Sequence, residues 1–179
     1  KARQYITGFT GSAGTAVITM SEAFLWTDGR YFIQAREQLK DTSVELMKMG
    51  EEGVPTVDEF IESQLSEGQC LGFDGRVVNG AWGKKLLAIA KMKSANLYVE
   101  EDLIDVIWKD RPPLSKEPAW VLDNKYAGRD ISEKLKNVRG KMRESGAQVH
   151  LLSSLYDIAW LLNIRGNDIS YVPVVLSYL

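Results

Sequence analysis

Apolar residues along this chain change spacing repeatedly, from every second position to every third or fourth and back, and this alternation restricts the fold more than any single motif. Residues 44–49 alternate with period two and predict a strand closed by Gly50 and the acidic turn Glu51-Glu52-Gly53. Pro55 and Thr56, with Glu59 three residues on, form a helix start. Val57, Phe60, Ile61 and Leu65 are that helix's buried stripe and Gly68 its stop. Residues 71–74 then predict a strand, 82–90 a helix, 95–99 a strand and 103–108 a short helix. Upstream, the β-branched and aromatic runs 5–7, 16–18 and 23–26 predict adjacent strands, with a helix from Tyr31 to Leu39 that Asp28 is placed to cap. Strands and helices in alternation imply an α/β fold, a largely parallel or mixed sheet flanked by helices.

Three of the five prolines lie between residues 111 and 118. Proline fixes its own backbone and biases its predecessor away from helix, so a boundary is expected near residue 113, giving domains 1–112 and 113–179. In the second part Asp130 and Glu133 open a helix with the stripe Ile131, Leu135, Val138 and Met142, ended by Gly146. Strands are expected at 149–152 and 172–176, around an apolar helix at 155–162. The run 5–11 leading to a strand has an echo in 160–166 leading to 172–176, as if the second domain repeats the first. The chain opens on Lys1 directly before an apolar run and stops at Leu179 with no turn after its last strand, so both domains read as cut, the first at its start and the second at its end.

With 22 Lys and Arg mixed among 24 Asp and Glu, the net charge is -2, and there is no one-signed field to attract nucleic acid or an anionic membrane. The basic cluster Lys134, Lys136, Arg139, Lys141 and Arg143 reads as a solvated helix face. A single cysteine, Cys70, excludes an internal disulfide, fits a reducing compartment and reads as a small buried side chain at a strand start. No apolar stretch approaches the roughly 20 residues of a spanning helix.

Two loops concentrate the chemistry: Phe9-Thr10-Gly11-Ser12-Ala13-Gly14-Thr15, and Trp26-Thr27-Asp28-Gly29-Arg30-Tyr31. Closely spaced glycines can converge backbone N–H groups on an anion. Yet no Lys-Ser or Lys-Thr follows the last glycine, and the order is not that of a dinucleotide fingerprint. Thr10 stands where a nucleophile elbow around Ser12 needs glycine. A flexible strand-to-strand loop is the plainer reading. His150, the one histidine, lies in an expected strand and reads as a core or edge residue; no Cys/His spacing exists for zinc, and no carboxylate cluster projects from one element. Arg30 has two readings, a guanidinium clamp for a carboxylate or an ion pair with Asp28.

The run Tyr5-Ile6-Thr7-Gly8-Phe9-Thr10-Gly11-Ser12-Ala13-Gly14-Thr15-Ala16, followed by Trp26-Thr27-Asp28-Gly29-Arg30-Tyr31-Phe32, resembles the first domain of the long, three-domain Xaa-Pro aminopeptidases. The resemblance continues through Leu103-Ile104-Asp105-Val106-Ile107-Trp108-Lys109-Asp110-Arg111-Pro112 and Asp157-Ile158-Ala159-Trp160-Leu161-Leu162-Asn163-Ile164-Arg165-Gly166, into Pro173 to Tyr178. It implies a creatinase N-terminal-like mixed sheet flanked by helices, used twice, ahead of a C-terminal catalytic domain of pita-bread type. That domain would hold two Mn²⁺ and cut the bond before a proline at position two of short peptides. The resemblance places no catalytic residue, metal ligand or cofactor in this stretch and implicates Arg30 in substrate binding. It also implies a cytoplasmic homodimer. The alternative is a binding or scaffolding module with no peptidase role.

Overall fold

The computed structural model describes residues 1–179 and divides into two units, Lys1–Arg111 and Pro112–Leu179. In the first, α1 (Ala2–Thr7) leads to β1 (Thr15–Ile18) and β2 (Ala23–Thr27). A 3₁₀ turn, Gly29–Tyr31, opens α2 (Phe32–Leu39). β3 (Val44–Lys48), α3 (Val57–Gln64), β4 (Cys70–Gly72), α4 (Gly80–Met92), β5 (Asn96–Tyr98) and α5 (Leu103–Ile107) follow. The second unit holds β6 (Trp120–Val121), α6 (Asn124–Ala127), α7 (Ile131–Glu144), α8 (Leu155–Leu161) and β7 (Ile164–Arg165).

The α/β alternation is present, divided among three small sheets. β1, β2 and β3 form one, with β1 antiparallel and β3 parallel to β2; β4 and β5 pair in parallel, and β6 and β7 antiparallel. As the central strand of its sheet, β2 is covered on both faces, and Phe24, Leu25, Trp26 and Thr27 are all buried. Side chains alternate across a strand. Leu25 therefore packs with Phe9, Ala35 and Leu39 on the α2 side, while Phe24 and Trp26 pack with Phe60 of α3 on the other. Burying each of these large side chains is worth about 1.5–3 kcal/mol. The Trp26 indole also donates to the Pro55 carbonyl at 2.8 Å, tying β2 to the residue before the α3 cap. There Thr56 Oγ1 accepts from the Glu59 N–H and the Glu59 carboxylate accepts from the Thr56 N–H, a closed capping box.

Several expectations are corrected. Residues 5–7 are helix rather than strand, because Gly8 sits at φ 74° and closes α1 from its N–H to the Gln4 carbonyl; left-handed glycine is a helix stop. The glycine loop thus joins a helix to a strand, and the β1–β2 hairpin turns at Thr19 and Glu22 instead. Residues 149–152 and 172–176 form no strands. Leu152 and Leu179 exchange one pair of backbone hydrogen bonds, and Ile169 and Val172 make an isolated bridge. β-branched residues favour a pleated surface, but propensity without a neighbouring strand makes no ladder. His150 and Cys70 are exposed.

Lys134 departs furthest from expectation. Among the basic cluster it is 1% exposed, because position 134 is three residues past Ile131 and four before Val138, on the inward phase of α7. Its ammonium donates to the Trp160 carbonyl at 2.7 Å and to Asn163 Oδ1 at 2.6 Å, 4.5 Å from the centre of the Trp160 ring. Asn163, buried at φ 50°, donates in turn to the Arg129 carbonyl at 2.9 Å, and its own carbonyl accepts from the Leu122 N–H at 2.6 Å.

Candidate functional site

The two loops singled out by sequence meet beside α1 and α2. Arg3 of α1 reaches under the glycine loop, its guanidinium donating to the Gly14 carbonyl at 2.6 Å and to the Gly11 carbonyl. Phe9, fully buried, fills the space within the loop's curve, and a Cβ at Gly11 would stand 2.2 Å from its ring. Gly14, at φ 154°, leaves no room either, since a Cβ there would be 2.7 Å from the Trp26 carbonyl. The buried Thr27 hydroxyl donates to the Ala13 carbonyl at 2.8 Å. On the outer side Gln34 and Gln38, one turn apart on α2, both donate to the Thr10 hydroxyl, at 2.9 and 2.8 Å. Gln38 Oε1 also accepts from the Thr10 N–H at 3.0 Å. The loop is a packed, fastened connection rather than a flexible one.

From this frame the second loop projects outward. Asp28 caps the 3₁₀ turn by accepting from the Arg30 N–H at 3.1 Å, and its carboxylate takes Nε and Nη2 of the same residue at 2.8 Å each. The Arg30 bond and charge hold the Asp28 carboxyl down at about 2, and Asp28 in turn raises Arg30. Both readings of Arg30 are compatible with this geometry. A guanidinium has five N–H donors and Asp28 occupies two, so three face outward on a side chain 69% exposed. The guanidinium lies 5.3 Å from the centre of the Tyr31 ring. Tyr31 stands edge-on to Phe9 at 5.8 Å, and its hydroxyl is 2.6 Å from the Ser12 hydroxyl. That bond is the main cause of a lowered Tyr31 phenol, with Arg30 adding to it.

Chemically this surface offers hydrogen-bond donors. Ser12 is bonded to a phenol and not to a base, and nowhere do three or more His, Cys, Asp or Glu side chains group to hold a metal ion. No helix is long and apolar enough to cross a membrane.

A second turn, Asp74-Gly75-Arg76, has the same tripeptide within a segment whose apolar spacing predicts only a strand end. Arg76 donates to Asp74 through Nε and Nη2 at 2.9 Å each, and its N–H to the same carboxylate at 3.0 Å. Here, however, Asp105 also approaches the guanidinium, at 3.9 Å, and Arg111 binds Asp102 and Asp105 beside it. Arg76 faces acids, whereas Arg30 has Asp28 alone.

The chain is 41% identical to Aminopeptidase P1 of Arabidopsis thaliana over 99% of its own length and 27% of that protein's. It is 44% identical to a Probable Xaa-Pro aminopeptidase P of Neurospora crassa over 98% of its length and 26% of the relative's. It therefore spans little more than a quarter of these relatives. Among solved structures, the X-prolyl aminopeptidase of Caenorhabditis elegans, described as a cytosolic enzyme with a di-nuclear active site, superposes with a TM-score of 0.89 at 38% identity, over 99% of this chain and 29% of that one. The creatinase/prolidase N-terminal domain matches twice, at residues 1–105 and 110–179, and the chain belongs to the creatinase/prolidase N-terminal domain family.

Proposed function

We propose that this chain is the non-catalytic N-terminal region of a metal-dependent Xaa-Pro aminopeptidase, with residues 1–112 and 113–179 as its first two domains. The observation that carries the reading is the paired family match, in order, across a chain whose relatives named as Xaa-Pro aminopeptidases are about four times as long. Two Mn²⁺ are assigned to a C-terminal catalytic domain of the longer protein, a reading supported by the C. elegans relative described as having a di-nuclear active site. The role left to this region is to shape the entrance for short peptides with proline at position two, with Arg30 donating to a peptide oxygen through its free N–H groups. A homodimer in the cytoplasm completes the proposal; the C. elegans relative, described as cytosolic, supports the compartment.

The test is proline-specific aminopeptidase turnover with Mn²⁺ by the 179-residue chain and by the longer protein. Turnover is expected from the longer protein alone, and turnover by the purified chain would overturn the assignment. In the longer protein Arg30→Ala should lower kcat/KM about 10- to 150-fold, the worth of one charged hydrogen bond. Arg76→Ala, the same turn among acids, should leave it unchanged. Unaltered kinetics for Arg30→Ala would remove Arg30 from the substrate site.

A further inference from the structure

We infer that the glycine loop is the positioning element of Arg30, acting through the Ser12–Tyr31 hydrogen bond; the inference rests on the proposed contact between Arg30 and the peptide. The two Asp-Gly-Arg turns supply the argument. Both close the same bidentate pair, yet the residue after Arg76 is Val77 and the residue after Arg30 is Tyr31. An aromatic ring is therefore not needed to fold the turn. What Tyr31 adds is a surface 5.3 Å beneath the Arg30 guanidinium, held from two sides.

On one side its edge contact with Phe9 fixes the ring against a fully buried side chain. On the other, its hydroxyl is fastened to Ser12 at 2.6 Å, and Ser12 lies between Gly11 and Gly14, whose carbonyls Arg3 holds. Contacts thus run without a break from α1 through the loop to the exposed arginine. Asp28 alone would leave the turn free to carry both partners together, because the pair spans only two residues of one tight bend. The Ser12–Tyr31 bond reaches across nineteen positions and ties that bend to the packed unit. Tyr31 and Ser12 are positioning residues in this scheme, and the donors that meet the peptide are those of Arg30.

Steady-state kinetics of the longer protein on a peptide with proline at position two test this. Tyr31→Phe, which keeps the ring and loses the hydroxyl, and Ser12→Ala should each raise KM about 2- to 10-fold, the worth of one neutral hydrogen bond, with kcat and the unfolding midpoint unchanged. Because they remove the same bond, the double variant should match either single, and Ser12→Thr should restore KM. On an Arg30→Ala background, Tyr31→Phe should change nothing further. Additive losses on that background would mean that Tyr31 meets the peptide itself, and they overturn the inference. So would an unchanged KM for Tyr31→Phe while Arg30→Ala is impaired. An Arg30→Ala protein indistinguishable from wild type would instead overturn the substrate role of Arg30, and the positioning role with it.

Discussion

Lys134→Met removes the one buried ammonium in the chain while keeping a side chain of similar length and volume. The ammonium makes two hydrogen bonds to neutral acceptors, the Trp160 carbonyl and Asn163 Oδ1, and bonds to a charged group are worth about 1.5–3 kcal/mol each. Methionine offsets the roughly 3–6 kcal/mol lost, since it need not be stripped of a charged hydration shell. Asn163 Oδ1, however, is left without its donor. Because burial already disfavours the charged ammonium and methionine relieves that penalty, the loss that remains is that of the orphaned acceptor, about 1–3 kcal/mol. The unit from Pro112 to Leu179 has an expected stability of about 3–10 kcal/mol at typical per-residue values, so the substitution removes a large share of it. Urea unfolding of the 179-residue chain, followed by tryptophan fluorescence because Trp160 stands over the site, measures the loss. A change smaller than about 0.5 kcal/mol would refute the reasoning, since a loss that small means Asn163 Oδ1 is not left as an orphaned acceptor.

The same side chain has a pH signature. Burial pushes the Lys134 ammonium below its ordinary value, with Arg129 and Arg165 adding to the effect and Asp130 opposing it. In the window between the folded value and about 10.4 in the unfolded chain, the unfolded state binds more protons, so stability rises with pH there. The penalty for the buried charge is fully present below that window. Wild type should gain stability relative to Lys134→Met as pH climbs toward 10.

Two further outcomes follow from the first unit. Gly11→Ala places a methyl group 2.2 Å from the ring of a fully buried Phe9 and should cost about 1–3 kcal/mol in urea unfolding, as overpacking does; a neutral result would mean that Phe9 moves freely. Asp28, held down at about 2 chiefly by the Arg30 hydrogen bond, should titrate near there by carboxyl NMR and return to about 4 in Arg30→Ala. Because its folded value is depressed, any stability it contributes is complete above about pH 4 and disappears as pH falls toward 2; a midpoint near 4 in the wild type would show that the pair does not hold in solution.

What the sequence made readable was local. The capping box at Thr56 and Glu59, the β1 and β2 runs, the cap at Asp28 and the pairing of Arg30 with it each lie within a few residues of one another, where spacing and side-chain chemistry decide the geometry. The Ser12–Tyr31 bond and the Lys134–Asn163 bond, across nineteen and twenty-nine positions, depend on how whole elements pack, and no period in the chain announces them. The burial of Lys134 is partly legible in the sequence even so, since its helical phase matches the apolar stripe and only its charge argues otherwise.

The glycines divide in the same way. Gly8 has a positive φ and ends α1 by its backbone alone, a signal present in the sequence but outweighed by the strand propensity of Tyr5, Ile6 and Thr7. Gly11 has no positive φ. It must be glycine because a ring from the same loop occupies the place of its side chain, a steric requirement set by packing that backbone freedom does not express. The loop is therefore closely packed at two of its glycines, which is what the proposed positioning of Arg30 through Tyr31 requires.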